Sequence, residues 1–342
     1  MKACLINSNG QVGIEDVKVP TVGPGEVLVR LAAAGICGTD IEKTHGGYGP
    51  GGILGHEVSG TIERVGERVT GLVMGQRVLA HHHVPCYYCG YCLRGDYTMC
   101  EMFKKTNFDP CGLAEFFRVP EANVMRGAVV PVPLDINLEE AAITEPTACC
   151  LRALDRARVK TGESVLVAGL GPTGLTQIQL LKRIGASPII GADLLAHRLE
   201  MAGTLGASET INTSTADLPN AVVNKTSIGV DLAIVSTGNP KAILPALNSV
   251  RRGGRLLLFG APAQGSTVQL DVSKLFGRQV TIITSYSCVE SDIHRVLGLL
   301  SRREIYLRSI ITDRFSIQDA SKAIEHARTS PTAIKTMIEP EA

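Results

Sequence analysis

At 342 residues the chain exceeds the size at which one hydrophobic core stops growing, so two domains are expected. Its 34 Lys and Arg nearly balance 33 Asp and Glu, with no run of like charge, which removes the electrostatic basis for binding nucleic acid or an anionic membrane. The amino-terminal MKACLINSNG has no apolar signal core, and no apolar run approaches the roughly 18 residues of a membrane helix; a cytoplasmic location is expected, with the ten cysteines as ligands or reduced thiols.

From Met1 to about Val124 short apolar runs rich in β-branched residues, such as VLVRLAAAG and EVSGTIERVG, are broken by Gly and Pro, which predicts a β-rich domain over 1–150. Within it lie Cys37 in GICGTD and the pair His56 and Glu57 in GHE. Glu145 follows in TEPTAC. Cys, His and carboxylate together suit a zinc that keeps one coordination position open, although a single Cys or His is more often core than ligand.

Cys86, Cys89, Cys92 and Cys100 are separated by two, two and seven residues. Short CxxC steps let four thiolates converge on one tetrahedral ion, and neighbouring CxxC cysteines make poor structural disulfides. Four cysteines exceed what a redox pair needs, so residues 84–102 are expected to form a closed structural zinc lobe. His81, His82 and His83 precede it; successive strand residues alternate faces, so they cannot all reach one ion, and they are expected at the surface or lining a cleft.

Beyond Pro133, Asn137 and Glu140 suggest a capping box opening a long helix through EEAAITEPTACCLRALDRA, with Cys149 and Cys150 as core thiols. Strand-like and helix-like segments then alternate: SVLVAG, GLTQIQLLKRIG, PIIGAD, HRLEMAGTLGA, VDLAIVS, PKAILPALNSV, RLLLFG and QVTIITS. This predicts βαβ units on a doubly wound parallel sheet over 151–285. The tail, 286–342, carries two helix-like stretches and a strand-like AIKTMI, and is expected to return to the first domain. Cys4, Cys111 and Cys288 have no partner at ligand spacing.

Gly169, Gly171 and Gly174, with Pro172 and Thr173 between them, form G-x-G-x-x-G directly after one predicted strand and directly before a helix. The glycines permit a tight turn, close approach of a pyrophosphate and close helix–strand packing, and the helix amino terminus offers free N–H groups. Asp193 ends the next strand about 20 residues further on, where an acid accepts from the adenosine ribose hydroxyls and repels a 2′-phosphate. NAD is therefore expected over NADP, with Arg198 within reach if its helix turns towards Asp193. Thr237, Gly260 and Ser285 follow sheet strands and are expected at the cofactor crevice.

Four motifs in order, Cys37-Gly38-Thr39-Asp40, Gly55-His56-Glu57, the cysteine quartet and Gly169 to Gly174, make the chain resemble the zinc-dependent medium-chain alcohol and polyol dehydrogenases over essentially its whole length. Glu145 followed by Pro146 resembles the sorbitol dehydrogenase branch. The resemblance implies a GroES-like catalytic domain, a Rossmann domain, two zinc ions per chain (one catalytic, one structural), NAD, and a homo-oligomer, tetramer or dimer. It implies a catalytic zinc on Cys37, His56 and Glu145, with Glu57 either ligating or acting on His56 electrostatically. Zinc lowers the pKa of bound water from ~15.7 to ~7, and a comparable shift for an alcohol is what hydride loss at neutral pH requires. Thr39 is expected to accept the alcohol proton. Where the family often places a histidine to pass the proton on, this chain has Glu42, and His45 lies off that position. The expected reaction is reversible hydride transfer from a secondary alcohol, a polyol or sugar alcohol, to NAD, giving a ketone. Threonine, a simple secondary alcohol or an aldose are alternative substrates. Seven tyrosines, seven phenylalanines and no tryptophan leave little for a large aromatic pocket and favour a small one. A zinc-free nucleotide-binding relative is the alternative of another class, and its signature would be loss of Cys37 or His56.

Overall fold

A computed structural model describes residues 1–7, 10–45 and 52–340. The chain divides into two compact units, one of residues 1–148, 288–303 and 307–342, the other of 149–287 and 304–306. Among the described residues no helix is long and apolar enough to cross a membrane.

The first unit is built on a largely antiparallel sheet. Strand Val27–Gly35 lies at its centre, pairing with Glu57–Val65, Phe116–Val119 and Lys335–Glu339. Its pattern VLVRLAAAG is buried at nearly every position, because the core packs both faces. The register sets Gly35 opposite Glu57, which carries Cys37, two residues beyond the strand end, towards His56. A Cβ at Gly35 would lie 2.2 Å from Glu57 Oε2 and 2.8 Å from Lys335 Cε, so a larger residue there would displace the ends of both side chains. The returning tail supplies helices Glu290–Ser301 and Ala320–Thr329 and the strand Ile311–Ser316, which the sequence pattern did not single out.

The second unit carries six parallel strands in the order Glu209–Asn212, Ile189–Asp193, Val165–Ala168, Val230–Val235, Val250–Leu258 and Thr281–Thr284. In chain order this is 3-2-1-4-5-6, the doubly wound arrangement in which the order reverses beside the first strand. Val165–Ala168 is buried throughout, as a central strand covered on both faces must be. The fold class is therefore the expected one, a GroES-like β-rich domain with a Rossmann domain. Strand Glu209–Asn212 escapes pattern reading because it is an edge strand whose Glu209 and Thr210 face solvent.

The expected long helix differs in detail. It breaks at Ile143 into Leu138–Ala142 and Thr144–Ala157. Asn137 caps the first piece, its Oδ1 accepting from Glu139 N at 2.8 Å, but the capping box is not made: Glu140 Oε1 instead accepts from Arg308 N at 3.2 Å. Pro146 falls in the first turn of the second piece, where its missing N–H is not needed.

Candidate active and metal sites

The cysteine quartet occupies a lobe of short 3-10 turns, Cys92–Arg94 and Tyr97–Met99, that fold the chain tightly enough to face four sulfurs inward. Cys86 Sγ lies 3.9 Å from Cys92 Sγ, and Cys89 Sγ 3.6 Å from Cys92 Sγ. Zn–S bonds of about 2.3 Å in a tetrahedron put sulfurs about 3.8 Å apart, whereas a disulfide needs about 2.05 Å, so the spacing fits zinc. Cys86 accepts from Cys89 N at 3.2 Å and Cys100 from Cys86 N at 3.3 Å. Burial opposes ionisation of Cys86, but the N–H groups of Tyr88 and Cys89 outweigh it and bring the thiol down to about 6. All four positions are thiols, so an ion held here has no open coordination position.

Cys37, His56 and Glu57 form a second cluster, with ligand atoms within 4.8 Å of one another. Cys37 precedes helix Gly38–Thr44, and His56 precedes strand Glu57–Val65. Asp40, wholly buried, ties the two segments together: its Oδ2 accepts from Cys37 N at 3.1 Å, its Oδ1 from Gly55 N at 3.0 Å, and Oδ1 lies 3.6 Å from His56 Nδ1. Burial alone would raise the Asp40 pKa, but His56, Lys43 and the Gly55 N–H prevail and hold it at about 2. Burial likewise works against a charged His56, and Asp40 with Cys37 overrides it, raising that pKa well above the ordinary value. His56 Nδ1 is buried with no hydrogen-bond partner. Glu57 forms a buried ion pair with Lys335, whose Nζ also donates to Ile36 O at 2.9 Å. A thiolate, an imidazole and a carboxylate held in this way are the donor set that zinc takes in sites with an open position.

Glu145, expected with Cys37 and His56, is not within that mutual reach. It groups instead with His81 and Cys288, again within 4.8 Å of one another and all buried. The surface part of the expectation for the three histidines does not hold for two of them: His81 and His82 are 0% and 8% exposed, with Asn123 Nδ2 donating to both carbonyls, at 2.9 and 3.0 Å, while His83 is half-buried. Cys288, without a partner at ligand spacing in sequence, has one in space. Burial and neighbouring cations lower the pKa of His82 well below its usual value, and burial, only partly offset by the Thr106 carbonyl, takes His83 to about 4. Thr39 is half-buried in the first turn of its helix, and Glu42 is exposed on the same helix.

In the parallel-sheet unit Gly169 has φ +94°, and Gly171 precedes helix Pro172–Ile184. A Cβ on Gly174 would lie 2.0 Å from Gly169 O, while one on Gly171 would meet nothing within 4 Å. The third glycine is thus required by packing, and the second leaves the approach that a pyrophosphate needs, so this turn fits a dinucleotide. Asp193 accepts from Leu170 N at 2.7 Å and from Leu195 N at 3.0 Å, and Arg198 Nη1 lies 3.9 Å away. Gly260 packs so closely on Thr237 that a Cβ would lie 2.3 Å from its carbonyl carbon, and Ser285 Oγ is buried with no hydrogen-bond partner. Cys150 is buried, its Sγ facing Thr173 O at 3.6 Å, and Cys149 is half-buried.

Residues 23–132 match the alcohol dehydrogenase GroES-like domain family and residues 172–302 the zinc-binding dehydrogenase family. The chain is 31% identical to sorbitol dehydrogenase of Bacillus subtilis, covering 99% of this chain and 97% of that protein. It is 34% identical to L-threonine 3-dehydrogenase of Symbiobacterium thermophilum, covering 91% and 90%. A solved zinc-binding dehydrogenase structure from Sinorhizobium meliloti 1021, bound to NADP, superposes with a TM-score of 0.91 at 27% identity, covering 99% of each chain. The chain belongs to the zinc-dependent medium-chain dehydrogenases of the alcohol and polyol type, enzymes that use zinc and NAD(P).

Proposed function

We propose that this enzyme uses NAD to oxidise a secondary alcohol of a polyol or sugar alcohol reversibly to the ketone. The observation that carries the reading is the cluster of Cys37, His56 and Glu57 in a chain that also presents Asp193 beside the glycine turn. The relative named sorbitol dehydrogenase supports the polyol class. When bound, zinc at the Cys37 cluster supplies the acidity a carbinol oxygen lacks at neutral pH, and NAD accepts the hydride.

The chain's own residues do the rest. Thr39, two residues beyond Cys37 in the first helical turn, takes the carbinol proton as it passes on its own. Glu42 faces water, so the outward path from Thr39 ends at an exposed carboxylate. Asp40 fixes His56 by charge and the Cys37 and Gly55 backbones by hydrogen bonds, and Lys335 restrains Glu57. Gly171 and the following helix amino terminus receive the pyrophosphate, and Asp193 receives the ribose hydroxyls. Arg198 stands close enough to Asp193 to soften the exclusion of NADP.

A homo-oligomer in the cytoplasm completes the reading. The sheet edge Thr281–Thr284, with Ile282 38% exposed, and the preceding helix Val272–Arg278, with Phe276 87% and Val272 72% exposed, support pairing with a second copy. The relative named L-threonine 3-dehydrogenase, at 34% identity, favours threonine as the second substrate class. Screening polyols, secondary alcohols and threonine with NAD and with NADP tests both. Fastest turnover of a polyol with NAD is expected. Turnover confined to threonine would replace the polyol reading, and failure of every substrate by zinc-loaded protein would end it.

A further inference from the structure

We propose that Tyr87, Glu290 and His81 are positioning residues, a hydrogen-bonded linkage through which the cysteine lobe holds Glu145 and His56 in place, a role that rests on the alcohol-oxidising function proposed above. The lobe sets the first member. Tyr87 lies between Cys86 and Cys89 and has φ +67°, a conformation that a bulky side chain keeps only where its surroundings impose it. The bond from Cys89 N to Cys86 Sγ closes the turn around it, and its ring leans on that of Tyr97, with centroids 5.5 Å apart.

Glu290 is brought to the lobe by its neighbour, since Val289 packs with Cys86, Cys92, Cys100 and Phe103 in one buried cluster. Tyr87 Oη donates to Glu290 Oε2, and His81 Nδ1 lies 2.8 Å from Glu290 Oε1. Burial opposes ionisation of Glu290, but His81 and Tyr87 outweigh it and hold the carboxyl below its ordinary value, so both oxygens accept and His81 Nδ1 carries the proton. With the His81 and His82 carbonyls already fixed by Asn123, the orientation of the His81 ring is what remains for Glu290 to set.

The ring so fixed touches the catalytic centre on two sides. His81 Nε2 faces Cys288 Sγ at 3.9 Å, and that sulfur lies 3.6 Å from Glu145 O and 3.9 Å from Glu145 Oε1, all three residues being buried. Glu145 is the residue that the resemblance assigns to the catalytic zinc, and His81 with Cys288 forms the wall behind it. On the other side the His81 ring stands edge-on to His82, with centroids 5.5 Å apart, and the His82 ring lies 4.9 Å from that of His56. Close-packed interiors pass such displacements on, so a turn of His81 shifts both residues. Tyr87 is 40% exposed, which puts one end of the linkage at the surface and the other beside Glu145 and His56.

The test uses full-length, zinc-loaded wild type, Tyr87→Phe, Glu290→Gln and the double variant, with folding checked by circular dichroism and zinc content by elemental analysis. Two readouts are taken: steady-state kinetics with NAD and the best alcohol substrate, and the ring-nitrogen NMR resonances of isotopically labelled histidine, His81 being assigned by its loss in His81→Gln. Each single variant is expected to lower kcat about tenfold, with the KM for NAD and the zinc content unchanged. The double variant is expected to lose no more than the worse single one, because the two residues act in series. The His81 resonances, which need no substrate to be read, are expected to move in Tyr87→Phe. Wild type inactive on every alcohol would end the function above and this role with it. An active wild type with unmoved His81 resonances, with kcat unchanged in both single variants, or with losses that add in the double variant would overturn this role alone.

Discussion

The Asp40 carboxylate lies 3.6 Å from His56 Nδ1, while the same side chain accepts the backbone N–H of Gly55, the residue before His56. One buried acid therefore sets both the position of the histidine and its electrostatic environment, leaving Nε2 as the nitrogen for a metal. Replacing Asp40 with Asn keeps the size and removes the charge. Zinc affinity at the Cys37 cluster is expected to fall about 10–100-fold while the quartet keeps its ion, as measured by chelator competition. Unchanged affinity would show that Asp40 serves the fold alone.

Thr39→Val removes the hydroxyl with little change in volume. Turnover is expected to fall by about 10²–10⁴-fold with zinc content intact, as read by steady-state kinetics beside elemental analysis. Near-normal turnover would place the first proton acceptor elsewhere.

Asp193→Asn leaves an acceptor for Leu170 N but takes away the charge. The KM for NAD is expected to rise about tenfold, the scale of one charge-assisted hydrogen bond, and the preference over NADP to shrink. A preference that stays as it was would assign discrimination to other residues, Arg198 first among them.

Part of this was readable from the chain and part was not, for a physical reason. The glycine turn, Asp193 and the quartet are local signals: strand, turn and helix follow one another, and four cysteines share a lobe of 84–102. Cys37, His56 and Glu57 needed the register of two strands to meet, and family resemblance stood in for it. Nothing in the sequence marks the partnership of His81 with Cys288, because its members lie 207 residues apart and each alone looks like a core residue. Asp40 stood in plain view within GICGTD, and a charged residue directly after the glycine-flanked hydroxyl of Thr39 could have been asked where its charge goes. Lys335 gave a weaker sign, a lysine inside an otherwise apolar strand pattern, AIKTMI, which is rarely buried without a partner.

Asp231 gives a prediction about pH. Burial would raise its pKa, but Ser164 N–H and Oγ–H, at 2.8 and 2.7 Å, and Arg251 Nε, at 2.7 Å, lower it below the ordinary carboxylate value. A folded-state pKa below the unfolded one contributes stability above the unfolded value, near ~3.9, and that contribution is lost as pH falls through the folded value. Asp231→Asn is therefore expected to cost about 1 kcal/mol at neutral pH, a modest figure for a partly exposed pair, with the gap to wild type narrowing below about pH 4. Urea unfolding across pH reads this directly. A gap that does not change with pH would mean that the charge of Asp231 is not what stabilises the strand junction.

The central claim is that Cys37 and His56 hold the zinc on which alcohol oxidation by NAD depends. Its most direct measurement is the rate of NADH formation from a polyol by wild type and by Cys37→Ala, each with zinc content determined on the same sample. The account predicts robust turnover in wild type and, in the variant, loss of one zinc equivalent together with at least about 10³-fold of the rate. Equal rates, or a variant that loses the rate while retaining all its zinc, would contradict it.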